Sequence, residues 1–187
     1  MKNKKIIIGI IITIFLIGVI SYFILNKFLE NKKENEISEY IPAEEITQVQ
    51  LRQTVVSLYF KNKENSTLVP EARSIDVKEL TKEPYSTLIN LLIEGPKNEK
   101  LEKTIPEGTK LNKVEIKNNI VYIDLSKEFI ENHKGGVEEE SKTIYSIVNT
   151  LTQLNEVEAI KIIIDGEENK SFKDNNIKFT EAFVKKD

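Results

Sequence analysis

Cysteine is absent from this 187-residue chain, and histidine occurs once. Without cysteine there is no disulfide, no thiolate metal site, no cysteine nucleophile and no lipid-modified cysteine. Glycine, at seven residues, is too sparse for a phosphate cradle, which needs several backbone N–H groups converging near a helix N-terminus. In "LIEGPKNEKLEKTIPEGTKL", residues 92–111, Gly95 and Gly108 stand far apart. Gly95-Pro96 follows an apolar helical pattern and stops it, and Pro106-Glu107-Gly108 reads as a turn before the next strand. No glycine-flanked serine forms a nucleophile elbow. An excess of positive charge is also missing. Removing the three lysines before the first apolar run leaves 24 basic against 30 acidic residues, a net charge of −6. That balance disfavours nucleic acid and anionic lipid as partners.

The longest apolar run is "IIIGIIITIFLIGVISYFIL", residues 6–25, twenty residues without a charge. As a helix it measures roughly 30 Å, the thickness of a bilayer's hydrocarbon core. No small-residue cleavage site follows it, so the run is expected to be an uncleaved signal anchor, a single transmembrane helix. Lys2, Lys4 and Lys5 on one side balance Lys27, Lys32 and Lys33 on the other, and the N-terminal amine tips the bias toward a cytoplasmic N-terminus. The expected organisation is a cytoplasmic stub (1–5), an anchor (6–25), a polar charge-mixed linker (26–52) and an extracytoplasmic domain (53–187) at the cell membrane.

Within the domain, "TVVSLYF" (54–60) predicts a strand with Val56, Leu58 and Phe60 on one face, and "TLVPEARSI" (67–75) a second, kept at an edge or bulge by Pro70. Tyr85, Leu88, Ile89 and Leu92 recur at helical spacing. Residues 111–126 predict a hairpin through an Asn118-Asn119 turn. After Gly135-Gly136 a second helix carries the stripe Ile144, Ile147, Val148, Leu151 and Leu154. "VEAIKIIIDG" (157–166) predicts a central strand. The order β-β-α-β-β-α-β predicts an α+β fold, a two-layer α/β sandwich with one mixed sheet of about five strands and two helices on one face.

Candidate chemistry is thin. A triad through His133 would need an acid such as Asp124 and a serine such as Ser126 or Ser141. The "ENHKGG" stretch reads instead as a helix end with its glycine cap, and Asp124 or Ser126 as a cap of the next helical turn. Glu138-Glu139-Glu140 point in different directions around a helix and read as a solvated helix start, not a calcium loop. No catalytic, metal or cofactor-binding residue is expected. On the second helix Ser146, Asn149, Thr150, Thr152 and Gln153 replace the usual charged residues, and short uncharged groups suit a protein contact. Asn149 and Gln153 are the candidate interface.

Taken in order, "VVSLYF", "LVPEAR", "LIEGPKNEKLEKTIPEGTKL", "VYIDLSKEFIENHKGG", "IYSIVNTLTQLNEVEAIKIIIDG" and "IKFTEAF" resemble the GerMN domain of spore-germination and sporulation proteins, across residues 53–184. The resemblance implies a non-enzymatic module of the bacterial cell envelope, acting in sporulation or germination through protein assembly or cell-wall binding. It also implies a likeness to ring-building modules of the channel between mother cell and forespore. Its partners would be envelope or sporulation proteins, a second copy, or peptidoglycan. The family's spore lipoprotein has two such domains and a lipidated cysteine, whereas this chain has one domain and an apolar anchor. The alternative is an accessory or regulatory factor of a peptidoglycan hydrolase, since such domains also occur fused to wall hydrolases.

Overall fold

The computed structural model describes residues 17–27 and 52–186. Residues 17–27 form a helix, α1, exposed along its length. The first eleven residues of the expected anchor, 6–16, and residues 28–51 of the expected linker lie outside the described residues. Among those described, no helix is long and apolar enough to cross a membrane.

The compact unit that contains the domain begins near Gln50. Strands β1 (Gln53–Asn62) and β2 (Leu68–Asp76) pair antiparallel over nearly their whole length. Val56, Leu58 and Phe60 of β1 are all buried, as the alternation predicts. Pro70 lies opposite Tyr59 on β2, which is an edge strand where a missing N–H disrupts no ladder. Helices α2 (Val77–Lys82) and α3 (Pro84–Glu94) follow. α3 buries Leu88, Ile89 and Leu92 and ends at Gly95, whose φ of 103° no side chain adopts readily.

A two-residue strand β3 (Leu101–Glu102) pairs with the end of β1. The hairpin β4 (Leu111–Lys117) and β5 (Ile120–Leu125) turns at Asn118-Asn119 with φ of 50° and 62°, the left-handed pair its sequence asks for. One helical turn, α4 (Glu128–Glu131), leads to α5 (Val137–Leu151). β6 (Ala159–Ile164) then pairs parallel with β5 and antiparallel with β7 (Phe183–Val184), so the most apolar strand is central as expected. α5 stops at Leu151, and Leu154 packs on the core from the following turn rather than from the helix.

The α+β class holds, but the expected single mixed sheet does not. There are two sheets, β2-β1-β3 and β4-β5-β6-β7. The physical reason lies at the free edge of β1, where no further strand can add because side chains of α5 occupy it. α5 touches β1, α3, β6 and β7, and one hydrophobic core spans both sheets.

Candidate functional site

α5 and the turn after it close the β1 edge with three residues at spacings of four and three: Ser146 and Thr150 on one helix face, and Gln153 just past the helix C-cap. Ser146 Oγ donates to the Tyr59 carbonyl (2.7 Å), and the Tyr59 N–H donates to Thr150 Oγ1 (3.1 Å). Gln153 then behaves as a strand residue: the Ser57 N–H donates to its Oε1 and its Nε2 donates to the Ser57 carbonyl, each at 2.9 Å. A second bond from Nε2 reaches the Thr150 carbonyl. Uncharged side chains that both donate and accept thus take the place of a neighbouring strand along this part of β1. This corrects the outward polar face at two positions, Ser146 and Thr150, which are fully buried; Asn149 is half-buried, and Gln153 stays exposed although its amide bonds to β1.

Beside the N-terminal turns of α5 lies a cleft of about 330 Å³ lined by β3 and the loop after it, residues 132–134 and α5. At its wall Glu139 bridges two ammonium groups, Lys61 at 2.7 Å and Lys142 at 3.0 Å. Lys61 also meets Glu102 at 2.5 Å, and Lys142 meets Glu138 at 2.6 Å. Burial alone would raise the Glu139 pKa, but the hydrogen bonds from Lys61 and Lys142 outweigh it and hold the carboxylate below its ordinary range. Burial works against the Lys61 charge in the same way and is outweighed by Glu102 and Glu139. The expected solvated helix start is therefore half right. Glu138 is exposed, Glu139 is partly enclosed in this bridge, and Glu140 is fully buried because its direction around α5 turns it inward.

His133 lines the same cleft with 8% of its surface exposed. The Gly135 N–H donates to Nδ1 (2.9 Å), which places the ring proton on Nε2. Nε2 then donates to Thr143 Oγ1 (3.0 Å), and that hydroxyl donates to the Thr104 carbonyl (2.7 Å). Burial pushes the pKa of His133 down, more than Glu139 and Asp174 push it up. Neither ring nitrogen is left to take a proton from a nucleophile.

The other members of the imagined triad are dispersed. Asp124 Oδ1 accepts the Gly166 N–H (3.0 Å) and Ser126 Oγ accepts the Lys110 N–H (2.9 Å). Neither caps α4 as expected, because no side chain bonds at that helix's N-cap, and Asp165 meets the Lys127 N–H instead (3.3 Å). Among the described residues no three of His, Asp or Glu are gathered as metal ligands would be.

The quoted loop is fixed by a pair on β2. Glu71 accepts the N–H groups of Lys97 and Asn98, at 3.0 and 2.8 Å from its Oε2, and Arg73 Nη2 binds both Glu71 (2.5 Å) and the Gly95 carbonyl (3.1 Å). "LVPEAR" and "LIEGPKN" are thus two halves of one structural lock.

Fold and site together define a two-sheet α+β module whose cleft holds its histidine and the Glu139 bridge in bonds within the fold, with no assembled acid–base pair among the described residues. The family described as "Germane: Sporulation and spore germination" matches residues 57–170, and the chain belongs to it. Solved structures agree. The chain is similar to the tandem GerMN domains of the sporulation protein GerM from Bacillus subtilis, at 25% identity and a TM-score of 0.60, over 72% of this chain and 46% of that one. It therefore spans about half the length of that relative. The first GerMN domain of the same protein matches at 25% identity and 0.59, over 72% and 99%. A putative lipoprotein from Clostridium perfringens matches at 28% and 0.50, over 73% and 90%. No curated protein matches the sequence. The family is not one of known enzymes.

Proposed function

We propose that the protein is a non-enzymatic module of the cell envelope that acts in sporulation or spore germination by holding a protein partner, a second copy or the cell wall. Residues 6–25 anchor it in the membrane and the domain stands outside. Family membership supports the cellular setting. The observation that supports the mode of action is that the cleft's central polar groups are engaged within the fold: His133 with the Gly135 N–H and Thr143, Thr143 with the Thr104 carbonyl, and Glu139 with Lys61 and Lys142. Such a surface can present shape and charge to a partner, and its one histidine keeps no ring nitrogen free for proton transfer.

Deletion of the coding sequence in its native host tests the setting. The yield of heat-resistant spores or their germination should fall, and reintroduced full-length chain should restore it. Unchanged spore yield and germination would contradict the reading.

A further inference from the structure

Two buried titratable groups flank the start of α5, and neither serves the cleft's ion bridge. Glu140 has no exposed surface, and neither of its carboxyl oxygens has a hydrogen-bond partner. An ionised carboxylate left unpaired in that position is strongly disfavoured against its neutral form. His133 is enclosed as the neutral tautomer, and its ring packs on Phe172 at 4.4 Å between centroids.

Both groups are covered by the same piece of chain, residues 172–180. Phe172 and Phe179 are buried and stack with Phe129. Asp174 Oδ2 accepts the Gly136 N–H at 3.0 Å, and a Cβ at Gly135 would stand 2.7 Å from that oxygen, so the glycine is needed for the segment to sit there. Lys173 donates to the Glu131 carbonyl and Lys161 to that of Thr180. The segment has little secondary structure of its own, only an isolated bridge between Ser171 and Lys178. Backbone bonds from the Phe172 N–H to the Ile177 carbonyl and from the Phe179 N–H to the Lys170 carbonyl shape the loop, and its seat on α5 depends on what it covers.

We propose that residues 172–180 form a clasp that closes over α5 only while Glu140 and His133 are both uncharged, so that it is loosened by alkali through one group and by acid through the other. Facing His133 are Glu139 from α5 and Asp174 and Lys173 from the clasp; facing Glu140 is Asp174, also from the clasp. Burial and the Asp174 charge both raise the Glu140 pKa, while the Ile177 N–H opposes them without completing a hydrogen bond. Burial lowers that of His133.

The signs follow from linkage. Opening exposes Glu140 to water, where its pKa returns to about 4.5, so the open state gains about tenfold per pH unit above that value until the carboxyl ionises in the closed state as well. Opening returns His133 to about 6.5, so the open state gains about tenfold per unit as pH falls below that value, until the ring protonates when closed.

Hydrogen exchange on the full chain in detergent micelles, read as protection factors across pH, tests this. Relative to Glu140→Gln, wild-type protection of residues 172–180 should fall about tenfold per unit above pH 4.5, while protection of β1 and β2 stays parallel in the two proteins. A ratio that does not change with pH would overturn the clasp. So would tightening of wild type, but not of Glu140→Gln, by added calcium, since the carboxylate would then be a cation ligand. Should the variant not fold, direct NMR titration of the wild-type Glu140 carboxyl carbon decides the matter. A midpoint above 4.5 supports the proposal, and one at or below it overturns it.

Discussion

Gln153 gives Ser57 both halves of a strand pairing, accepting its N–H and donating to its carbonyl at 2.9 Å each, across 96 residues of chain. A helix end thereby finishes a sheet. Gln153→Ala removes the bond to the Thr150 carbonyl and both bonds to Ser57, the latter worth roughly 0.5–1.5 kcal/mol each, so a loss of about 1–3 kcal/mol is expected in urea denaturation. Gln153→Glu keeps the acceptor and loses the donor, and should fall between wild type and alanine. Asn149→Lys, at a half-buried neighbour, should stay within about 0.5 kcal/mol.

Thr150→Val tests the same edge from inside. The substitution preserves shape but strips the Tyr59 N–H of its acceptor in a fully buried place. A cost of about 1–3 kcal/mol is expected, from an unsatisfied buried donor. Leu151→Ala, which empties core volume one residue later, should cost about 2–5 kcal/mol. Comparable m-values in both melts would place the two effects in the native state.

The difference between those two neighbours shows what the sequence made legible. Leu151 belongs to an apolar stripe at helical spacing, and its burial follows from that period alone. Asn118 and Asn119 gave away the hairpin by their tolerance of positive φ, and Gly95 the end of α3. The polar residues were ambiguous, because Ser146, Thr150 and Gln153 look alike whether they meet solvent, a partner or a strand edge. Their spacing of four and then three, beside the apolar stripe, was the available signal for an inward role. The sheet splits at the same place, since an edge filled by side chains cannot accept another strand. Glu140 was illegible for a different reason: three consecutive glutamates sample three directions, and only packing decides which turns inward.

Acid should loosen the loop at residues 95–98. Burial tends to raise the Glu71 pKa, but bonds from Arg73, Asn98 and Lys97 outweigh it, so its folded pKa lies below the ordinary 4.5. A depressed carboxylate contributes stability that is present above 4.5 and is lost as pH falls through the folded value. Glu71→Gln should therefore be less stable than wild type at neutral pH and converge with it in acid. Thermal melts from pH 7 down to pH 2 would read this convergence.

The cleft offers its own contrast. Lys103 pairs with Glu107, which is largely exposed, and the exposed Lys134 makes no ion pair among the described residues, whereas Lys61 and Lys142 are held by Glu139. Lys103→Glu with Lys134→Glu should leave the melting temperature nearly unchanged, as exposed substitutions do. Lys61→Met should lower stability, because it leaves Glu102 and part of Glu139 uncompensated. Calorimetry on the two variants separates surface charge from structural charge.

The most direct measurement is incubation of the full chain with its native envelope, scored in one experiment for cross-linked partners and for soluble peptidoglycan fragments. A non-enzymatic contact module should yield a discrete cross-linked partner, a homo-oligomer or bound wall, with no fragment released. Release of wall fragments that His133→Ala or Glu139→Gln abolishes would contradict it.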